Sequence, residues 1–221
     1  MNMKCGVLGT GMVGIAIATK LEQLGHKVMI GSRSPDGESA KSAVAASGAK
    51  AGAGDYQAAA SFAEMLFNCT SGAGSMAALE SAGAANLEGK ILVDIANPLD
   101  MSAGMPPTLS VCNTDSLGEQ IQKAFPQTKV VKTLNTLNCD LMVDPSKVPG
   151  DHVLFMSGND AAAKASVVEL LDTFGWPSAR VIDLGDISTA RGTEMYLPLW
   201  LRLFMASNFQ GHFNIEIRRA P

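Results

Sequence analysis

The stretch GVLGTGMVG, from Gly6 to Gly14, decides the fold that this sequence predicts. Its last six residues match the pattern G-x-G-x-x-G. A short apolar run, Lys4 to Leu8, precedes these glycines, and the apolar spacing of a helix follows them from Met12 to Leu24. A second apolar run, His26 to Ile30, comes next. A strand, a glycine turn, a helix and a strand within about 30 residues form a parallel βαβ unit.

In a dinucleotide-binding βαβ unit, each glycine of the turn has a physical reason. Gly9 permits the tight turn, Gly11 lets a pyrophosphate approach the backbone, and Gly14 lets the helix pack closely on the strand. The free N–H groups at the helix N-terminus attract phosphate. An ordinary glycine-rich turn is the alternative interpretation. We predict that six consecutive residues bind a dinucleotide pyrophosphate: Gly9, Thr10, Gly11, Met12, Val13 and Gly14.

The second predicted strand ends in Gly31, Ser32 and Arg33, where a protein that binds NAD would carry Asp or Glu. A carboxylate there accepts a hydrogen bond from the ribose 2′-hydroxyl, but it repels a 2′-phosphate. Ser32 instead offers a hydroxyl, and Arg33 offers a planar cation that binds phosphate through two hydrogen bonds. A solvated turn in a protein that binds NAD is the alternative. The sequence predicts NADP(H), with Ser32, Arg33, Ser34 and Lys41 at the 2′-phosphate.

Two further strand-like runs, AEMLFNCT (63–70) and GKILVDIANP (89–98), end in polar residues or proline. The carboxyl ends of neighbouring parallel strands meet at one edge of a sheet, where ligands bind. A strand that simply stops at Asn97-Pro98 is the alternative. We expect five residues at these ends to lie near the ribose and nicotinamide of the cofactor: Thr70, Ser71, Ala96, Asn97 and Pro98.

Strand-like and helix-like runs alternate along the whole chain. This alternation predicts an α/β fold, a Rossmann-type doubly wound parallel sheet. We expect residues 1–134 to form the NADP-binding domain. Residues 135–221 are expected to form a short C-terminal α/β extension that packs on the same sheet without being an independent domain. The extension should end in an apolar helix, from Thr189 to Asn208, that Pro198 interrupts.

Composition argues against several classes of function. The chain has 221 residues, 47% of them hydrophobic, and a formal net charge of −4. Without a basic excess, neither nucleic acid nor an anionic membrane is an expected partner. The four cysteines form no CxxC motif and the three histidines are far apart, so we expect neither a metal site nor a disulfide framework. Free thiols indicate a reducing, cytoplasmic location. No apolar run reaches the ~18 residues of a membrane span.

The segments GVLGTGMVG, IGSRSP, VDIANP and SGND, in this order, resemble the coenzyme F420-dependent NADP oxidoreductase family over essentially the whole chain. The cytosolic NADPH-reductase domain of the six-transmembrane metalloreductases is also similar, especially in EMYLPLWLRLF (194–204). The resemblance implies that NADPH lies across the carboxyl edge of the sheet. It also implies a flavin or deazaflavin that meets the nicotinamide face to face.

The function expected from this resemblance is a hydride transfer between NADPH and a separate ring molecule: coenzyme F420, FMN or FAD, with a quinone fitting equally well. Such a transfer needs two stacked faces and no protein nucleophile, so we name no catalytic residue. A non-enzymatic NADP(H) sensor is the main alternative. An NADP-dependent dehydrogenase of a small substrate is a weaker one, because too few residues follow the last predicted strand to build the helical domain that it needs.

The terminal helix has two compatible interpretations. Its apolar residues indicate a buried helix that seals the sheet, or the interface of a homodimer. Alternatively, Tyr196 and Trp200 form a wall of the acceptor site. Asn135 and Asn138, near the end of the run TKVVKTLNTL (128–137), are further candidates for contact with the acceptor, and structural capping is an equal alternative for both.

Overall fold

The structure, a computed structural model, describes residues 2–209 and 212–220. The strands are β1 (Lys4–Leu8), β2 (Lys27–Gly31), β3 (Ala53–Gly54), β4 (Met65–Asn68), β5 (Ile91–Asp94), β6 (Leu99–Asp100), β7 (Thr108–Leu109), β8 (Lys129–Thr133), β9 (Leu154–Gly158) and β10 (Val181–Asp183). The α-helices are α1 (Met12–Gln23), α2 (Glu38–Ser47), α3 (Tyr56–Phe62), α4 (Gly72–Ala82), α5 (Ala84–Leu87), α6 (Leu117–Ala124), α7 (Cys139–Val143), α8 (Ala161–Phe174), α9 (Ala190–Met195) and α10 (Leu197–Ala206).

One sheet of eight strands organises the molecule, in the order β10-β9-β8-β5-β4-β1-β2-β3. β1 pairs in parallel with β2 on one side and with β4 on the other, so the strand order reverses beside β1. One buried apolar cluster packs α1, α7 and α8 on one face of the sheet. A second packs α3, α4 and α6 on the other face. The predicted Rossmann-type α/β fold is therefore confirmed, with its ligand edge at the carboxyl ends of β1 and its neighbours.

The sheet differs from a fully parallel one at β9, which runs antiparallel to β8. The one α-helix of the connection between them, α7, has five residues, so no long crossover helix packs on the sheet here. The chain re-enters the sheet at the edge at which β8 ended. α8, with 14 residues, is long enough for a crossover, and β10 accordingly lies parallel to β9.

Helix ends follow the expected chemistry. The Asp55 carboxylate accepts a hydrogen bond from the backbone N–H of Ala58 at 2.7 Å and begins α3. Asp160 accepts one from Ala163 at 2.8 Å and begins α8. Each capping side chain satisfies an N–H group that has no partner within its helix.

The predicted terminal helix is two helices, because the chain breaks at Tyr196 between α9 and α10. In α10 only Leu197 is buried, whereas Leu199 and Leu203 are 56% and 44% exposed. The expectation that this helix seals the sheet is therefore wrong for the single chain. The exposed leucines are compatible with the other interpretation, in which this helix forms the interface of a homodimer.

Within residues 2–209 and 212–220, no helix has the length and apolar character required to cross a membrane. In the same part of the chain, no group of three or more His, Cys, Asp or Glu side chains could hold a metal ion. The four cysteines are free thiols.

Candidate functional site

The glycine turn between β1 and α1 is built as the sequence motif requires. Gly9 has a φ of 123°, a conformation that favours glycine. A Cβ on Gly14 would lie 2.2 Å from the carbonyl oxygen of Gly9, so only glycine fits where the helix crosses the strand end. A Cβ on Gly11 would meet nothing within 4 Å. The backbone at Gly11, at the start of α1, therefore faces open space that a ligand can approach.

A cleft of about 780 Å³ opens at this turn, along the carboxyl ends of β1, β2 and β4. Its volume is in the range of small-molecule and cofactor sites. Eight of the residues predicted to bind the cofactor line it: Gly9, Thr10, Gly11, Ser32, Arg33, Ser34, Thr70 and Ser71. The structure thus brings the three separate sequence segments together in one cleft.

At the end of β2, the cleft has both a hydroxyl and a cation. Ser32 is 9% exposed, and its hydroxyl accepts a hydrogen bond from the Ser34 N–H at 3.2 Å. The exposed Arg33 also lines the cleft. Glu38 and Ser39, at the start of α2, line the same region and were missed by the sequence analysis. A helix start that follows a strand end is the signal that points to them.

Seven of the predicted contacts lie outside the lining of the cleft: Met12, Val13, Gly14, Lys41, Ala96, Asn97 and Pro98. The Lys41 ammonium is 3.6 Å from the Glu38 carboxylate, on an exposed face of α2. Met12 is 79% exposed, and Val13 is half-buried in the first turn of α1. Residues 12 and 13 would therefore contact a phosphate through the backbone N–H groups of this turn and not through their side chains.

The other end of the predicted cofactor site lies beyond β4, at the end of β5. A Cβ on Gly72 would lie 2.0 Å from the Asn97 carbonyl oxygen, so the start of α4 packs directly on this segment. The Asn97 amide donates to the Asn135 carbonyl at 2.8 Å, and the Asn135 amide donates to Asn97 Oδ1 at 2.9 Å. Ala96, Asn97 and Pro98 therefore lie beside the cleft rather than in its lining.

A second, smaller cavity of about 230 Å³ has Thr136, the residue after Asn135, in its lining. Its lining is mostly apolar: Thr136, Phe155, Leu184, Gly192, Thr193, Tyr196 and Ile215. Tyr196 is thus part of a cavity wall, and burial raises the pKa of its phenol. Trp200 lies elsewhere, stacked on Phe204 with ring centroids 5.1 Å apart. Asn138 caps α7, because its side-chain oxygen accepts a hydrogen bond from the Asp140 N–H at 2.9 Å. Asn138 thus has the structural capping role that was the alternative to contact with the acceptor.

Beneath the same edge lies a buried group of charges that the sequence analysis did not identify. The Lys132 ammonium is 2.8 Å from the carboxylates of both Asp94 and Glu194. Burial by itself lowers the pKa of Lys132, but the two carboxylates outweigh burial and raise it above its ordinary value. A charged residue inside an apolar strand is the sequence signal for such a group, and Asp94 and Lys132 both carry it.

Cys69 is the cysteine that lines the cleft. Burial, together with the charge of Asp94, raises the pKa of its thiol well above the ordinary value. Cys69 is therefore a neutral thiol at physiological pH, part of the wall rather than a nucleophile.

Comparison with known proteins agrees with this geometry. Residues 4–98 match the family model described as NADP oxidoreductase, coenzyme F420-dependent. The crystal structure of a chain from Arthrobacter sp. FB24, assigned as an F420-dependent NADP reductase, is 53% identical, with a TM-score of 0.89 over 99% of this chain and 100% of that one. The F420-dependent NADP reductase of Methanothermobacter marburgensis is 29% identical over 99% of this chain and its own full length.

A third similar protein has a different size. Metalloreductase STEAP3 of Rattus norvegicus is 28% identical to this chain over 204 residues. The match covers 89% of this chain but 38% of the length of the rat protein. The similarity therefore concerns one part of that larger protein.

Proposed function

Because this chain belongs to the family of F420-dependent NADP oxidoreductases, and is thus an NADP-dependent oxidoreductase, we propose that it transfers a hydride between NADP(H) and the ring of a flavin or deazaflavin. The observation that carries the proposal is the position of the two cavities. The cofactor cleft lies at the carboxyl ends of β1, β2 and β4, and the lining of the apolar cavity includes Thr136, the residue after Asn135 of the Asn97–Asn135 pair.

The residues of the cleft fit a phosphorylated dinucleotide. The open space at Gly11 and the first N–H groups of α1 suit the pyrophosphate, because these groups have no partner within the helix. Ser32 and Arg33 suit the 2′-phosphate, because a hydroxyl and a guanidinium both donate hydrogen bonds to it. Thr70, Ser71 and Asn97 would hold the ribose and nicotinamide. NADPH, when bound, supplies the hydride.

The second cavity suits a flat ring. Its walls include Phe155, Leu184, Tyr196 and Ile215, so it offers apolar contact rather than a set of charges. The work of the protein would be to bind the two rings in contact and to exclude water, since hydride transfer of this kind requires positioning more than acid–base chemistry. F420, FMN and FAD are the acceptor candidates, and a cytoplasmic location is part of the proposal.

The experiment is a titration of the purified protein with NADPH and NADH. Anaerobic mixing with FMN, FAD and a deazaflavin follows, while the loss of NADPH absorbance is recorded. We expect tighter binding of NADPH than of NADH, and turnover with one of the three acceptors. Tight binding of NADPH without turnover on any acceptor would instead favour the NADP(H) sensor.

A variant of the small cavity makes this experiment specific. Leu184→Trp should fill the cavity, so we expect loss of turnover with an unchanged dissociation constant for NADPH. Leu24→Trp, at the exposed end of α1, is the matched control, since Leu24 is 36% exposed and Leu184 is 38% exposed, and it should keep both properties. Full turnover in Leu184→Trp would place the acceptor elsewhere.

We also propose a homodimer that forms through α10. Leu199 and Leu203 are exposed there, and Phe209, beyond the helix, is 58% exposed. The double variant Leu199→Glu/Leu203→Glu should sediment as a monomer where the wild type sediments as a dimer. Met101→Glu/Met105→Glu, at two exposed methionines of a loop, should leave the sedimentation coefficient unchanged. A wild-type monomer would refute this part of the proposal.

A further inference from the structure

Three charged side chains, Asp94 of β5, Lys132 of β8 and Glu194 of α9, form a buried cluster beneath the cofactor edge. Their side chains are at most 1% exposed. Lys132 has three acceptors for the three protons of an ammonium group. These are Asp94 Oδ2 at 2.8 Å, Glu194 Oε1 at 2.8 Å, and the Ala96 carbonyl. Lys132 is therefore a cation with every N–H group satisfied.

Asp94 is ionised because all of its hydrogen-bond partners are donors. Besides Lys132, its Oδ1 accepts from the Asn68 amide at 2.8 Å and from the Ala96 N–H at 3.3 Å. A protonated carboxyl group would need an acceptor for its proton, and none of these groups provides one. The geometry thus requires a carboxylate at Asp94.

Glu194 is ionised for the same reason. Its Oε2 accepts from the Leu117 N–H at 2.8 Å, and its Oε1 accepts from the Gly118 N–H at 3.0 Å as well as from Lys132. The two N–H groups belong to the first turn of α6 and offset part of the charge of Glu194. One cation and two carboxylates leave the cluster with a formal charge of −1, and because the side chains are buried, solvent screens this charge little.

This charge is connected directly to the cofactor edge. The Asn68 amide donates to Asp94, and Asn68 Oδ1 accepts from the Thr70 hydroxyl at 2.6 Å. Thr70 lines the cleft, and the Ala96 carbonyl that Lys132 holds precedes Asn97. Of the two carboxylates, Asp94 is the one joined by hydrogen bonds, through Asn68 and Thr70, to the lining of the cleft.

We propose that Asp94 and its buried cluster favour the oxidised cofactor over the reduced one. The nicotinamide ring carries a positive charge in NADP⁺ and none in NADPH. A fixed negative charge beside the ring therefore lowers the free energy of bound NADP⁺ selectively. Asp94 acts through Asn68 and the strand end and is a positioning residue. The inference rests on the proposed NADP(H) site, but not on the identity of the acceptor.

The test compares the dissociation constants of NADP⁺ and NADPH, measured by calorimetry, in the wild type and in Asp94→Asn. This substitution keeps the shape of the side chain and removes one charge, while one of the two accepting oxygens becomes a donor. We expect the ratio of the NADP⁺ constant to the NADPH constant to rise about tenfold. Such a rise corresponds to a shift of about 30 mV, in the positive direction, in the potential of the bound couple.

Two further variants complete the test. Glu194→Gln should also raise the ratio of the NADP⁺ constant to the NADPH constant, but by less than Asp94→Asn does. It provides the test if Asp94→Asn does not fold. Glu22→Gln is the matched control, since Glu22 is a buried carboxylate that accepts from the Val28 N–H at 3.0 Å and the Lys50 N–H at 2.8 Å, at the opposite edge of the sheet. Its ratio should equal that of the wild type.

The outcomes separate this inference from the proposed function. If folded Asp94→Asn weakens the binding of both cofactor forms equally, Asp94 has only a structural role and the inference is wrong. If the wild type binds neither NADP⁺ nor NADPH, the proposed function itself fails.

Discussion

Among single residues, Gly11 and Gly14 of the same motif have separable roles. A methyl group on Gly14 would lie 2.2 Å from a backbone oxygen and 3.0 Å from a backbone carbon, and neither atom can move independently. A methyl group on Gly11 would extend into open space. Gly14 therefore serves the packing of the fold, whereas Gly11 borders the open space in which we propose that the pyrophosphate binds.

Gly14→Ala should lower the free energy of unfolding by about 1–3 kcal/mol, because the strand end and the helix must separate. Gly11→Ala should leave that free energy unchanged and weaken NADPH binding at least tenfold, because the methyl group occupies the space predicted for the pyrophosphate. Chemical denaturation and calorimetry measure the two effects. Wild-type affinity in Gly11→Ala would contradict the assigned position of the pyrophosphate.

Arg33 should account for the choice of NADPH over NADH. Each charge-assisted hydrogen bond is worth ~1.5–3 kcal/mol, so Arg33→Ala should weaken NADPH at least tenfold and leave NADH nearly unchanged. Arg180→Ala, which removes an ion pair with Asp151 far along the sheet, is the control. Equal losses for the two cofactors in calorimetric titrations would show that Arg33 does not contact the 2′-phosphate.

The residues predicted from the sequence are those whose position is fixed locally. Gly9 directly follows β1 and Arg33 is the second residue after β2, so their place at the sheet edge could be predicted. The position of Lys41 relative to the cleft could not be predicted, because it depends on how the chain bends between β2 and α2. The partnership of Lys132 with Glu194 joins elements far apart in the chain, and no local pattern contains it.

Among elements, α6 and α9 are held together at two points. Besides the contact of Glu194 with the start of α6, the Glu119 carboxylate accepts from Arg191 Nε at 2.8 Å. Arg191 holds the pKa of Glu119 below its ordinary value of 4.5. The ion pair therefore stabilises the folded protein at neutral pH.

This stabilisation should be lost as the pH falls below about 4.5 and through the lowered pKa of Glu119, because protonation then favours the unfolded chain. Glu119→Gln should lower the free energy of unfolding at pH 7 by less than about 1 kcal/mol, since the pair is partly exposed. Glu119→Gln should also reduce the loss in the free energy of unfolding that occurs as the pH falls. Urea titrations from neutral to acid pH measure both effects, with Glu169→Gln on an exposed face of α8 as control. An unchanged acid decline in Glu119→Gln would contradict the role of this pair.

The segments that form helices and strands could largely be predicted, whereas the direction of β9 in the sheet could not. The apolar spacing and the capping residues Asp55 and Asp160 are local signals, and the structure confirms them. The reversal of β9 lies in its pairing with β8, which the residues of β9 alone do not determine. The residue pattern of a buried strand is the same in either direction, so the sequence could not distinguish the two.

For the whole molecule, we propose that residues 135–221 are part of one folding unit with residues 1–134. Leu141, Met142 and Trp176 belong to the same buried cluster as Ile17 of α1. Removing them would expose this cluster and leave Lys132 without Glu194.

A fragment of residues 1–134 should therefore show no cooperative thermal unfolding, because it loses both the apolar contacts and a partner of a buried charge. Circular dichroism of the fragment beside the full chain provides the measurement. A sigmoidal unfolding curve for the fragment, near that of the full chain, would show instead that the nucleotide half folds alone.

The presence of two separate cavities also has a kinetic consequence. In the part of the chain that the structure describes, the residues lining the cleft and those lining the small cavity form two separate sets, so both sites can be occupied together. Under the proposed reaction, both substrates would be bound in a ternary complex before either product leaves. Double-reciprocal plots at several fixed acceptor concentrations should then intersect, whereas parallel lines would indicate that the two substrates occupy one site in turn.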